Sequence, residues 1–177
     1  FLLSDGSIYF DKSKQTYCIQ LTNKVDALLE KFKDLMQECF GLNNPSYNKC
    51  SNALSIRFFS KKVALELMKY SPTYRTLRFP TGIFPPAIIP VEILENPELL
   101  VPFLQAYFSC DGSVLLDKRT SHYRVEVACV HPLLRKQLSQ ALSSLEIRNR
   151  ITLKGVVIGG KANVRLFADK IRFLDES

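Results

Sequence analysis

The chain has 177 residues, 46% of them apolar, with 24 Lys and Arg against 17 Asp and Glu, giving a formal net charge of +7 and a pI near 9.2. That is long enough to bury a sizeable core, as one domain or as two fused half-domains of about 90 residues, and no run approaches the roughly 20 consecutive apolar residues of a membrane span or follows a signal-peptide pattern. Five cysteines without a Cys-x-x-Cys pair argue against a disulfide framework or a zinc cluster and for a soluble protein in a reducing cytoplasm, while the basic excess favours a polyanion through phosphate neutralisation.

Phe1-Leu2-Leu3-Ser4 is apolar and runs directly into Asp5-Gly6 with no capping residue ahead of it, which suggests a helix entered part-way along. After Gly6 the period switches to alternation, and residues 7 to 22 read as a hairpin turning near Lys12-Ser13-Lys14-Gln15. Tyr17, Ile19 and Leu21 share its inward face and Thr16, Cys18, Gln20 and Thr22 the other. An amphipathic helix follows over about 25 to 40, then a strand pair near 47 to 59 and a helix from about Ser60. Residues 71 to 98 hold six prolines, including Pro85-Pro86 and Pro90, and read as a connection without regular structure, with Ile83, Phe84, Ile88 and Ile89 packed against a domain.

Asn96 can cap a new helix, Pro97 suits its first turn, and the segment from Glu98 ends at Cys110-Asp111-Gly112. From there the first half is written again 106 residues on, from Asp5 to Asp111: across residues 5 to 24 and 111 to 130, six of twenty positions are identical, where chance gives roughly one or two. Ile8/Val114, Phe10/Leu116, Ile19/Val125 and Leu21/Val127 are conservative pairs, and Leu28, Phe32, Leu35, Met36 and Cys39 repeat as Leu134, Leu138, Ala141, Leu142 and Leu145. The second hairpin turns near Lys118-Arg119, with Tyr123, Val125 and Val127 inward and His122, Arg124, Glu126 and Ala128 outward. A helix is expected over about 132 to 146, strands over 150 to 167 turning at Gly159-Gly160, and a last helix from about Ala168, where Val164-Arg165-Leu166-Phe167 resembles Ile56-Arg57-Phe58-Phe59 at an offset of 108. The fold class is therefore α+β: two pseudo-symmetric αββαββα halves, residues 1–70 and 97–177, joined by a Pro-rich linker at 71–96.

An isolated Asp-Gly-Ser is usually only a turn. Here each copy closes an apolar helix, where a carboxylate opposes the helix dipole, and Ala106, Cys110 and Ser4 are small enough to let two such helices approach. Side-by-side packing would bring Asp5 and Asp111 together, and paired carboxylates call for a cation or a shared proton. EF-hand, P-loop, dinucleotide and nucleophile-elbow patterns are absent, and His122 and His131 lack ligand spacing.

Leu104-Gln105-Ala106-Tyr107-Phe108-Ser109-Cys110-Asp111-Gly112, with its degraded copy Phe1-Leu2-Leu3-Ser4-Asp5-Gly6, resembles the LAGLIDADG motif of homing endonucleases, and the repeat resembles their single-chain, compact archaeal intron-encoded members. The resemblance implies a saddle of two antiparallel sheets on a double-stranded DNA target of about 20 base pairs, roughly two turns of duplex, bound by a monomer. It implies Mg²⁺, or another divalent cation such as Mn²⁺, held by Asp5 and Asp111 with the adjoining Gly6 and Gly112. Asn23 and Lys24 match the positions that organise water and approach the phosphates, and Arg57 and Arg165 the basic position ending each half's last strand. Ala106 stands for the motif's first Gly and Ser109 for its first Asp, while Cys129 and Val130 replace Asn23 and Lys24 in the second half. Lys12, Lys14, Lys49, Lys118, Arg119, Lys154 and Lys161 are the candidates for phosphate contact, and Gln20, Arg124 and Glu126 for base readout.

The resulting expectation is a site-specific homing endonuclease acting on phosphodiester bonds in an archaeal or bacterial cytoplasm, or in an organelle. The alternative is a cleavage-deficient relative, either an RNA-splicing maturase that binds intron RNA or a DNA-binding regulator. An intein endonuclease fits less well, because no splicing segment flanks the halves.

Overall fold

A computed structural model of the chain describes residues 1–117 and 122–174. Leu2 to Asp5, expected to be helical, form tight turns instead, closed by the Ser4 and Gly6 amides, which donate to the Phe1 carbonyl at 3.1 and 3.2 Å. Strands β1 (Gly6–Asp11) and β2 (Thr16–Asn23) then pair antiparallel. Asp11 shapes their turn by accepting from the Ser13 and Lys14 amides at 2.8 and 3.2 Å. Helix α1 (Asp26–Phe40) stops at Gly41, whose φ of 68° lets the chain turn away. Strands β3 (Ser46–Cys50) and β4 (Ala53–Phe59) follow, and then α2 (Lys61–Leu67), capped by the Ser60 hydroxyl.

The linker is not wholly irregular as expected, since Pro90 opens a short helix, α3 (Val91–Glu95), within it; past it α4 (Pro97–Asp111) begins as its sequence suggests, the Asn96 side chain accepting from the Glu98 amide at 2.9 Å and Pro97 taking the first helical position. It leads into β5 (Gly112–Asp117), β6 (His122–Ala128), α5 (Pro132–Ser144), β7 (Arg150–Ile151), β8 (Gly155–Ile158) and α6 (Lys161–Lys170). The two four-stranded antiparallel sheets have the same order, β1-β2-β4-β3 and β5-β6-β8-β7. One face of each carries the core. Ile19, Leu21, Ile56 and Phe58 pack on Leu29, Phe32 and Met36 of α1, while Val125, Val127, Val156 and Ile158 pack with Leu104, Phe108, Leu134 and Leu138. Leu2, Ile8 and Leu67 touch both clusters, which joins the halves.

Several expectations need correction. The last strand of the second half ends at Ile158, not near 167, and α6 starts at Lys161, not at Ala168. Gly159-Gly160 is therefore no hairpin turn: Gly160, with φ of 84°, caps α6, and β7 turns into β8 through Thr152, whose hydroxyl accepts from the Lys154 and Gly155 amides at 3.3 and 3.1 Å. The reason is a shortened repeat. The paired residues Ser46 and Arg57 are 11 apart, whereas their counterparts Arg150 and Val157 are only seven apart, so no single offset aligns both hairpins. Tyr123 is 60% exposed, because the far end of the β5–β6 hairpin, with Leu116 53% exposed, extends past the helices covering Val125 and Val127.

In the linker Ile89 is buried and Phe84 packs edge-on against His131 at 5.0 Å, but Ile83 is 66% exposed. His131 is neither on the surface nor in a strand. It caps α5, accepting from the Leu134 amide through Nδ1, which leaves Nε2–H to donate to the Pro85 carbonyl at 2.7 Å.

Candidate active site

Why Asp is followed by Gly in both copies is a matter of space. A Cβ at Gly112 would lie 2.3 Å from the Phe108 carbonyl oxygen, and one at Gly6 would lie 2.6 Å from the Leu2 Cα. Each glycine lets a strand start hard against the turn that precedes it, which sets the neighbouring aspartate at the junction. Leu3 is buried with Leu104 and Phe108, and Ser4 lies within hydrogen-bonding reach of Cys110, so the first turns do pack against the second motif helix through small residues. Asp5 and Asp111 consequently line one cleft of about 750 Å³, together with Gly6, Gln20, Tyr107, Cys129 and Val130.

The two carboxylates differ. Burial raises the pKa of Asp5, but Asn23 opposes that shift by donating from Nδ2 to Asp5 Oδ2 at 2.6 Å. Asn23 is fixed at its other end as well, where Oδ1 accepts from the Val25 amide at 2.8 Å. Burial, and then the Asp5 charge, push Asp111 up to about 7. Cys129, in the place of Asn23, turns its thiol toward the His131 carbonyl at 3.6 Å, and among the described residues no side-chain hydrogen bond steadies the Asp111 carboxylate. Lys24 is exposed and lies outside the lining of the cleft.

The cleft opens onto the sheet faces opposite the cores. On the first sheet Gln20 stands across from Ser7 and Arg57, the Tyr9 hydroxyl donates to Gln20 Oε1 at 3.3 Å, and Thr22 and Ser55 share a hydrogen bond of 2.6 Å. Arg57 Nε is buried without a partner among the described residues. On the second sheet Arg124 Nε lies 2.8 Å from Glu126 Oε1, an ion pair without hydrogen-bond alignment.

The structure does not bring every candidate to these faces. Lys49 stands opposite Leu54, on the helix side of the first sheet. Arg165 is an exposed residue of α6, and Val157 holds the position across from Glu126 that Arg57 holds across from Gln20, so Arg165 does not end a strand as Arg57 does. Lys12 and Lys14 sit on the β1–β2 turn, with the Lys14 ammonium 3.5 Å from the Phe59 ring centre. Lys154 sits on the β7–β8 turn and Lys161 opens α6. Lys118 and Arg119 lie outside the described residues.

Two groups escaped sequence reasoning. Arg148 and Arg150 join His122 and Arg124 around a cleft of about 490 Å³ beside Gly159 and Gly160. Their alternation around Asn149 at a strand start was the available signal. Thr73, Tyr74, Arg75 and Leu77 of the linker line the cleft of the aspartates, and nothing in their spacing announced it.

Residues 98–172 match the family model described as a LAGLIDADG-like domain. No curated protein sequence matches the chain. The homing endonuclease I-DmoI, in a crystal structure with DNA and Mn, shares 19% identity and a TM-score of 0.65, over 96% of this chain and 93% of that one. The N-terminal LAGLIDADG domain of WhiA shares 15% identity and a TM-score of 0.57, over 99% and 80%. Full-length WhiA from Thermatoga maritima shares 16% and 0.58, over 97% of this chain and 52% of that one. The class is thus an α+β protein with the LAGLIDADG fold. Within that class, residues 98–172 are a LAGLIDADG-like domain and the chain as a whole has the architecture of the single-chain homing endonuclease I-DmoI.

Proposed function

We propose that the chain is a monomeric, site-specific endonuclease of double-stranded DNA that uses a divalent cation, Mg²⁺ or Mn²⁺, at Asp5 and Asp111. The observation that carries this reading is the convergence of both repeated aspartates on one cleft, which is lined from the first sheet by Ser7, Tyr9 and Gln20 and reaches Ala128 at the end of β6. The same-fold relatives add support, since I-DmoI structures are described with DNA and Mn and with target DNA in the presence of Mg.

The residues suit a hard cation. Two carboxylates in one partly buried cleft repel each other, and among the described residues no third His, Cys, Asp or Glu completes an all-protein cage. That donor set matches an ion which keeps several waters and takes its remaining ligands from a substrate phosphate. Asp5 and Asp111, with the Gly6 and Gly112 positions adjoining, would hold such an ion, and it would supply a water of lowered pKa and charge stabilisation at the leaving oxygen. Asn23 orients Asp5 and favours its carboxylate form against the effect of burial; Lys24, exposed beside Asn23, is available to the phosphate backbone. Arg57 and Gln20 on the first sheet, and Arg124 and Glu126 on the second, offer donors and acceptors to base edges in a major groove wide enough for a β-ribbon. Lys12, Lys14, Lys154 and Lys161 lie at turns and a helix start, where backbone phosphates would pass.

Selecting cleaved sequences from a randomised duplex library with Mg²⁺ present tests the proposal. One enriched site of about two helical turns is expected. A library left intact while the chain still binds DNA would instead favour the second reading, a DNA-binding protein that no longer cuts. Cys129 and Val130 in the place of the Asn-Lys pair are what favour that second reading.

A further inference from the structure

Among the described residues lining the cleft of the aspartates there is one cation, and it belongs to neither repeat: Arg75, from the linker. Lys24 does not line that cleft, and its second-half counterpart is Val130, which does. Along that lining, among the described residues, a phosphodiester brought to Asp5 and Asp111 would meet two carboxylates and one guanidinium.

Arg75 is set in place from both sides. Tyr74, the residue before it, is buried in the second-half core and donates its hydroxyl to the Leu67 carbonyl at 2.7 Å, and Ser71 ties the loop by donating to the Thr73 carbonyl and accepting from the Ile88 amide, at 2.7 and 3.1 Å. The Arg75 amide donates to Thr73 Oγ1 at 3.1 Å. The guanidinium donates from Nε to the Leu77 carbonyl at 3.3 Å and from Nη2 to the Arg78 carbonyl at 3.2 Å, and stands 5.1 Å from the centre of the Phe79 ring. Two of its five N–H groups are engaged, and three remain for an oxyanion. This is a cation oriented in advance, with part of its side-chain entropy already lost before any ligand arrives.

Resting on the endonuclease reading, we propose that Arg75 is a linker-borne phosphate-clamping residue that supplies to the second half of the site the cation missing at Val130. It would donate to a non-bridging oxygen of one scissile phosphate and stabilise the charge that gathers there as water adds to phosphorus, the P–O bond to the leaving sugar oxygen breaks and that oxygen takes up a proton from solvent. The linker is then part of the active site as well as a connection.

Single-turnover cleavage of the cognate duplex, each strand labelled separately, tests this with the full chain and Mg²⁺. Arg75→Ala is expected to slow one strand about 100-fold, to leave the other strand within a few-fold of wild type, and to keep Kd in the absence of divalent cation nearly unchanged. Arg75→Lys should recover part of the loss. Because Arg75 is exposed, a thermal scan should find the same Tm in all three proteins. Both strands cut at the wild-type rate by Arg75→Ala would overturn the proposal and leave the endonuclease reading intact, as would a loss of rate fully matched by weaker binding. A wild-type chain that cuts no DNA would overturn the endonuclease reading, and the role of Arg75 with it.

Discussion

Asp111 is expensive to keep ionised, because burial and then the charge of Asp5 hold its carboxyl at about 7 against 3.8 for an unperturbed group. Between those values the folded chain binds a proton that the unfolded chain has lost, so this group's contribution to stability falls as pH rises from about 4 to 7. In chelator, Asp111→Asn should therefore gain about 2 kcal/mol at pH 8, allowing for partial solvent access, and almost nothing at pH 4. Urea denaturation at the two pH values measures it; equal effects at both would mean that Asp111 is not strained. A carboxylate so placed is a cost to folding, one that a bound cation would offset. The repeated Asp-Gly singled out both aspartates in the sequence, and the structure brings them to one cleft. The contrast of Asn23 with Cys129 was legible too, but the Asn23 hydrogen bond to Asp5 was not, because it depends on how β2 lies beside the first turns. Arg75 was not, because a loop residue reaches a site through the path of the chain, which no periodicity records.

At the scale of elements, the junction after each motif depends on a missing Cβ. Gly112→Ala must displace the Phe108 carbonyl, a backbone atom, and also meets the Phe173 ring at 2.9 Å; it should cost about 2–4 kcal/mol. Gly159→Ala meets nothing within 4 Å and has no positive φ, so it should lie within about 0.5 kcal/mol of wild type. Paired Tm measurements check the contrast, and equal losses would contradict the packing argument. The first two hairpins were readable from their alternation, α1 and α5 from their apolar period, and α4 from its explicit cap at Asn96. The β7–β8 hairpin and α6 were misread because Val164-Arg165-Leu166-Phe167 imitates a strand that the first half does form, while four residues had gone from the hairpin before it.

Across the whole molecule, the internal repeat explains why two sheets share one strand order and why both aspartates reach one cleft. It does not make the halves equivalent. The first sheet presents Gln20, Tyr9 and Arg57, the second Arg124 with Glu126 and the nearby Arg148 and Arg150, and among the described residues only the first aspartate has a side-chain amide partner. Asymmetric faces suit a target whose two half-sites differ in sequence. The linker, by entering the cleft, compounds that asymmetry.

Strand-resolved cleavage of the selected duplex by wild type, Asp5→Asn and Asp111→Asn, with Mg²⁺ and in chelator, bears most directly on the paired-aspartate site. Wild type should cut both strands only with the cation, and each variant should lose at least about 100-fold in rate while still binding the duplex. Either variant cutting both strands at the wild-type rate, or wild type cutting in chelator, would contradict it.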